Sequence, residues 1–144
     1  MSKVSIIYWS QTGNTEAMAK AVAEGVAKGG CTAELLTVGN ASAEELKESK
    51  VFALGCPAMG AEELEEAEMQ PFVDSIEGSV AGKEILLFGS YGWGEGEWMR
   101  NWEERMKKAG ANLAGGEGII CASEPDEDTL NKCRKAGEAL AKLA

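Results

Sequence analysis

No histidine occurs among the 144 residues. That absence excludes Ser-His-Asp and Cys-His nucleophilic systems and removes the commonest general base. It also argues against zinc, because the four cysteines, Cys31, Cys56, Cys121 and Cys133, show no C-x-x-C spacing. They read as reduced structural thiols. No apolar run approaches the roughly 18 residues of a membrane-spanning helix. The apolar stretch after Lys3 runs straight into Ser10 and Gln11, so it reads as a strand and not as a signal peptide. A cytoplasmic location without membrane attachment is expected. Positive charge is scarce where it would matter for nucleic acid. The net charge is −10, and residues 51–100 carry 2 Lys+Arg against 10 Asp+Glu. Nucleic acid is therefore not an expected partner, whereas a basic protein surface is.

The apolar pattern alternates between two periods. Short runs read as strands at Lys3–Trp9, Thr32–Val38, Val51–Cys56 and Lys83–Phe88. A fifth lies within Ala111–Cys121, centred on Gly118–Cys121 and broken or bulged at Gly115-Gly116. Helical spacing predicts Asn14–Lys28, ended by Gly29-Gly30, then a helix around Pro71, Val73 and Ile76, then Glu97–Ala109 and Asp126–Leu143. Ser42 with Glu45 gives the capping signature of a short helix. Trp98 and Trp102 fall at core positions of their helix. Alternating strands and helices imply a parallel α/β sheet with helices on both faces, and 144 residues suit one domain.

Three of the strands run directly into glycine-bearing loops. These are Ser10-Gln11-Thr12-Gly13-Asn14-Thr15, then Gly55-Cys56-Pro57-Ala58-Met59-Gly60, then Gly89-Ser90-Tyr91-Gly92-Trp93-Gly94. In a parallel sheet the carboxyl ends of the strands share one edge, so the three loops would build one composite site. The first brings hydroxyls, an amide side chain and free helix N-terminal N–H groups to one point suited to a phosphate. It is neither G-x-x-x-x-G-K nor G-x-G-x-x-G, and no Lys or Arg lies between Lys3 and Lys20. Met59 and Trp93 offer soft, flat surfaces for a planar ring. The combination points to a flat phosphorylated cofactor, with FMN the leading candidate. Glycine at position 60 permits positive φ in the turn Met59–Glu62. Glu62, Glu63, Glu65, Glu66 and Glu68 follow as a solvated acidic rim. The loop Ala122–Pro125 after Cys121 is a further candidate to line the site, with no spacing argument for it.

In order and spacing, these motifs resemble the flavodoxins along the whole chain. The short fifth-strand region resembles the short-chain type, and Met59 in place of an aromatic resembles its clostridial branch. The resemblance implies a three-layer doubly wound sandwich with a five-stranded parallel sheet in the order 2-1-3-4-5. It implies one FMN-binding domain over residues 1–144; a monomer is the expectation, with no residue to argue it. Ser10, Gln11, Thr12, Gly13, Asn14 and Thr15 would hold the phosphate, and Pro57 and Ala58 would lie along the ribityl chain and ring edge. Met59 and Trp93 would cover the two ring faces, and Glu62 would accept from flavin N3–H. The Gly60-Ala61 peptide would turn its carbonyl toward N5 in the semiquinone, although Ala61 lacks the side-chain oxygen that some relatives carry there. Backbone amides of Ser90, Tyr91 and Gly92 would meet the pyrimidine side. The implied activity is low-potential one-electron transport between redox proteins on the semiquinone/hydroquinone couple, and not enzymatic turnover. Partners would dock at the rim of Glu62, Glu63, Glu65 and Glu66. The alternative on the same scaffold is an FMN-dependent quinone or NAD(P)H reductase, which needs a substrate pocket above the flavin. A receiver-type signalling domain would need carboxylates where the chain has Trp9-Ser10 and Cys56-Pro57.

Overall fold

A computed structural model describes residues 2–60, 62–92 and 94–144. Strands β1 (Lys3–Tyr8), β2 (Thr32–Thr37), β3 (Val51–Gly55) and β4 (Glu84–Tyr91) pair in parallel in the order β2-β1-β3-β4. The fifth position beside β4 is shared by two short parallel strands, β5 (Asn112–Leu113) and β6 (Ile119–Ala122). The expected strand order 2-1-3-4-5 is borne out, with the last position split. Gly115 and Gly116, at φ 81° and 86°, take the chain out of the ladder, so of the broken or bulged start expected there the structure has the break.

Burial is nearly continuous along β1, β3 and β4, as a sheet covered on both faces requires, and successive side chains alternate between the two layers. Val4, Ile6, Tyr8, Ala53, Leu86 and Phe88 face one layer, and Ile7, Phe52, Leu54, Ile85 and Leu87 face the other. The first layer contains α1 (Asn14–Lys28) and α5 (Glu127–Leu143). These two helices touch backbone to backbone. A Cβ on Gly25 would lie 1.9 Å from the Arg134 carbonyl oxygen, and one on Gly137 would lie 2.2 Å from that of Val22. The second layer contains α2 (Ala43–Lys47), α3 (Met69–Ile76) and α4 (Glu97–Lys108), with Trp98, Trp102 and Met106 buried as their spacing predicts.

Local signals place the helix starts. Glu45 N–H donates to Ser42 Oγ at 3.3 Å, and Thr129 N–H donates to Asp126 Oδ1 at 2.8 Å. Pro71 sits in the first turn of α3, where its missing N–H costs nothing. One boundary departs from expectation. The fourth strand was expected to end at Phe88 but continues to Tyr91, because Gly89, Ser90 and Tyr91 pair with Ile120, Cys121 and Ala122 of β6. Among the described residues, no helix is long and apolar enough to cross a membrane.

Candidate cofactor site

The exits of β1, β3 and β4 converge on a cleft of about 200 Å³. The first loop lines it with Ser10, Gln11, Thr12, Asn14 and Thr15, the second with Pro57, Ala58 and Met59, and the third with Ser90, Tyr91 and Gly92. It lies at the carboxyl edge beside the β1/β3 junction, where strand order reverses. No Lys or Arg is among its lining residues. Ala61 and Trp93, expected at the site, lie outside the described residues.

Ser10 organises the first loop. Its Oγ accepts from Gly13 N–H at 3.2 Å and from Glu16 N–H at 3.3 Å. With its lone pairs so engaged, the hydroxyl has its own proton left to donate. Gly13 stands at the N-cap of α1 at φ 95° with no side chain of its own to cap it, so Ser10 takes one first-turn amide, that of Glu16. The amides of Asn14 and Thr15 remain for an external acceptor. Glu16 is drawn aside: Tyr8 donates its hydroxyl to Glu16 Oε2 at 3.0 Å, and burial together with that carboxylate raises the Tyr8 pKa. A donor set of hydroxyls and amides at a helix N-terminus fits a phosphate without a formal positive charge.

Thr15 has a different place from the other hydroxyls. It is 1% exposed, and its Oγ1 meets Ser90 Oγ at 3.0 Å and accepts from Ser90 N–H at 3.4 Å. It ties the first loop to the third instead of pointing freely into the cleft. The Ser90 amide is correspondingly occupied, which corrects its expected availability to a ligand.

The second loop closes on itself. Met59 and Glu63 exchange both backbone hydrogen bonds, at 2.9 and 2.8 Å. Gly60 at φ 51° and Glu62 at φ 57° stand at the tip. Glu62 Oε1 accepts from Glu97 N–H at 3.1 Å, so its carboxylate reaches the start of α4. Glu65 is not part of a solvated rim. It is 6% exposed and its carboxylate accepts from the amides of Ala67, Glu68 and Met69. Three free amides at the head of α3 drew it inward, and spacing alone could not show that. Glu63 and Glu66 are exposed, as expected.

The segment after β6 brings one residue for which the sequence offered no spacing argument. Ser123 lines the cleft, holds φ 59° and donates its N–H to the Tyr91 carbonyl at 2.7 Å. Its place depends on the long-range pairing of β4 with β6, which no local motif announces. Cys56, at the foot of the second loop, is fully buried, and burial pushes its thiol up to about 12. It is packing and not a nucleophile.

The family model described as Flavodoxin matches residues 6–137. The chain is 41% identical over 140 residues to the flavodoxin of Clostridium beijerinckii, covering 97% of this chain and 100% of that protein. It is 42% identical over 139 residues to the flavodoxin of Megasphaera elsdenii, covering 96% and 98%. The solution structure of the two-electron reduced M. elsdenii flavodoxin superposes with a TM-score of 0.87 at 40% identity, covering 96% of this chain and 98% of that one. The shared fold, the cleft at its switch point and these full-length matches establish that the chain belongs to the flavodoxin family, as an FMN-binding one-electron carrier and not an enzyme.

Proposed function

We propose that the cleft seats FMN with its phosphate on the first loop and its ring between Met59 and Trp93, in one domain over residues 1–144. The reading is carried by one observation: residues of all three glycine-bearing loops line a single cleft free of cationic side chains. Bound FMN supplies the one-electron chemistry, and the protein tunes it.

The chain's own residues divide the work. The Ser10 and Thr12 hydroxyls and the amides of Asn14 and Thr15 hold the phosphate, with Gln11 and Gly13 shaping the loop. Pro57 and Ala58 lie along the ribityl chain. Glu62 keeps one oxygen on Glu97 N–H and offers the other to flavin N3–H. The Gly60-Ala61 peptide presents its carbonyl to N5, and the pyrimidine side falls to Tyr91 and Gly92. The lack of cations in the cleft and the acidic surroundings oppose adding negative charge, which favours a low potential for the last electron. Each glutamate roughly 10 Å away contributes about 0.4 kcal/mol at a dielectric of ~80 before screening.

Glu62, Glu63 and Glu66 form the docking rim for a basic redox partner, with Glu65 now excluded from it. A monomeric, cytoplasmic carrier completes the reading, in keeping with free Cys31, Cys56, Cys121 and Cys133. The test is stepwise anaerobic reduction of the purified protein supplied with FMN. Stoichiometric uptake and two resolved one-electron steps are expected. A protein that takes up no FMN overturns the proposal.

A further inference from the structure

Glu65 is the acidic side chain that the electron-carrying site leaves without a task. Among the described residues it is the buried carboxylate of the molecule, at 6% exposure. Its Oε2 accepts from Ala67 N–H at 2.7 Å, and its Oε1 accepts from Glu68 N–H at 2.7 Å and Met69 N–H at 2.9 Å. Burial works against its ionisation. The three amide donors outweigh that cost and hold its pKa below the ordinary carboxylate value.

The backbone of the same residue faces the other way. Glu65 N–H donates to Cys56 Sγ at 3.4 Å, at the foot of the second loop. Between these two residues the chain makes its turn, and Met59 and Glu63 bond to each other in both directions. The segment 56–65 is therefore a closed loop with two rungs. Cys56 and Glu65 form the base, Met59 and Glu63 form the neck, and the positive-φ tip lies beyond.

We propose that Glu65 is a positioning residue for the cofactor turn, its carboxylate fixing the base of the 56–65 loop so that movement on reduction is confined to the tip beyond Met59 and Glu63. This role rests on the proposed placing of the flavin ring against Met59 and Gly60. A plain helix cap does not need an interior carboxylate. The caps of α2 and α5, Ser42 and Asp126, do the same job at the exposed surface. Glu65 differs in joining the cap of α3 to the return limb of the turn through one residue. Loss of its charge leaves buried amides short of an acceptor and frees the base of the loop.

The test compares the isosteric variant Glu65→Gln with Asp126→Asn, which in the same way removes only the charge of a cap far from the turn. One arm measures amide hydrogen exchange in the flavin-free protein. Met59 and Glu63 are expected to exchange about tenfold faster in Glu65→Gln relative to the amides of β3, and not in Asp126→Asn. The other arm measures the FMN dissociation constant and the separation of the two midpoint potentials. Both are expected to shift in Glu65→Gln alone. Unchanged exchange at Met59 and Glu63 overturns the role while leaving the FMN site intact. Faster exchange with unaltered potentials reduces Glu65 to a structural cap and also overturns it. Failure of the parent protein itself to bind FMN sinks the proposed function, and this role with it.

Discussion

The indole N–H of Trp98 donates to the carbonyl oxygen of Cys56 at 3.0 Å, joining the start of α4 to the exit of β3. The contact depends on a glycine between them. A Cβ on Gly89 would lie 2.1 Å from that carbonyl oxygen and 3.1 Å from the Trp98 ring. The Tyr91 ring packs beside the indole with centroids 5.5 Å apart, tilted by 52°. A core side chain thus sets the point from which the second loop departs.

Trp98→Phe keeps most of the packing and removes the donor. Leaving a buried carbonyl short of a partner costs about 1–3 kcal/mol. Urea denaturation of the flavin-free protein is expected to show a lower midpoint at an unchanged slope. FMN affinity is expected to fall as well, because the second loop loses an anchor at its root.

Gly60→Val tests the tip of the same loop. Nothing lies within 4 Å of a Cβ at this position, so the substitution acts through φ and not through a clash. A β-branched residue at φ 51° is strained. The strain is expected to weaken FMN binding and narrow the gap between the two midpoint potentials. A redox titration in which the gap is unchanged would remove the turn from the tuning machinery.

Thiol chemistry offers a check on the packing. Burial pushes the thiols of Cys56 and Cys133 up to about 12, and burial with nearby Asp126 pushes that of Cys121 up to about 11. Cys31 is only half-buried, its thiol donating to the Ala141 carbonyl at 3.4 Å. In the native protein at neutral pH, a disulfide reagent is expected to modify Cys31 first. The other three should react only on unfolding.

Acid stability carries the signature of Glu65. Burial disfavours its charge, but the amides of Met69, Glu68 and Ala67 bring its pKa below the ordinary carboxylate value. A depressed carboxyl contributes its full stabilisation above the unfolded-state pKa and loses it as pH falls through the lower folded value. The Cys56 thiol, facing it from the end of β3, stays neutral throughout that range. Glu65→Gln is therefore expected to lower the melting temperature at neutral pH and to flatten its decline in acid. Parallel acid limbs for parent and variant would count against a charged Glu65 in the folded state.

Much of the molecule can be read from neighbours in the chain. Helix α1 covers Asn14–Lys28 as its periodicity predicts, and Ser42 caps α2 through Glu45 N–H. The loops Ser10–Thr15 and Pro57–Gly60 stand at the ends of β1 and β3, as their glycines and hydroxyls indicate. The reason is range. Helix periodicity, caps and strand exits are set by interactions among residues a few positions apart, so the order of side chains is enough to specify them.

Other features needed partners far along the chain. β4 runs on to Tyr91 because β6 pairs with it, and Ser123 reaches the cleft for the same reason. Thr15 turns from ligand donor to tie because Ser90, 75 residues away, meets it in the folded state. Glu65, one glutamate among neighbours that look alike in sequence, is buried while Glu63 and Glu66 stay exposed. Burial and long-range hydrogen bonding are settled by which groups the folded chain brings together, and composition along five or six positions carries no record of that geometry.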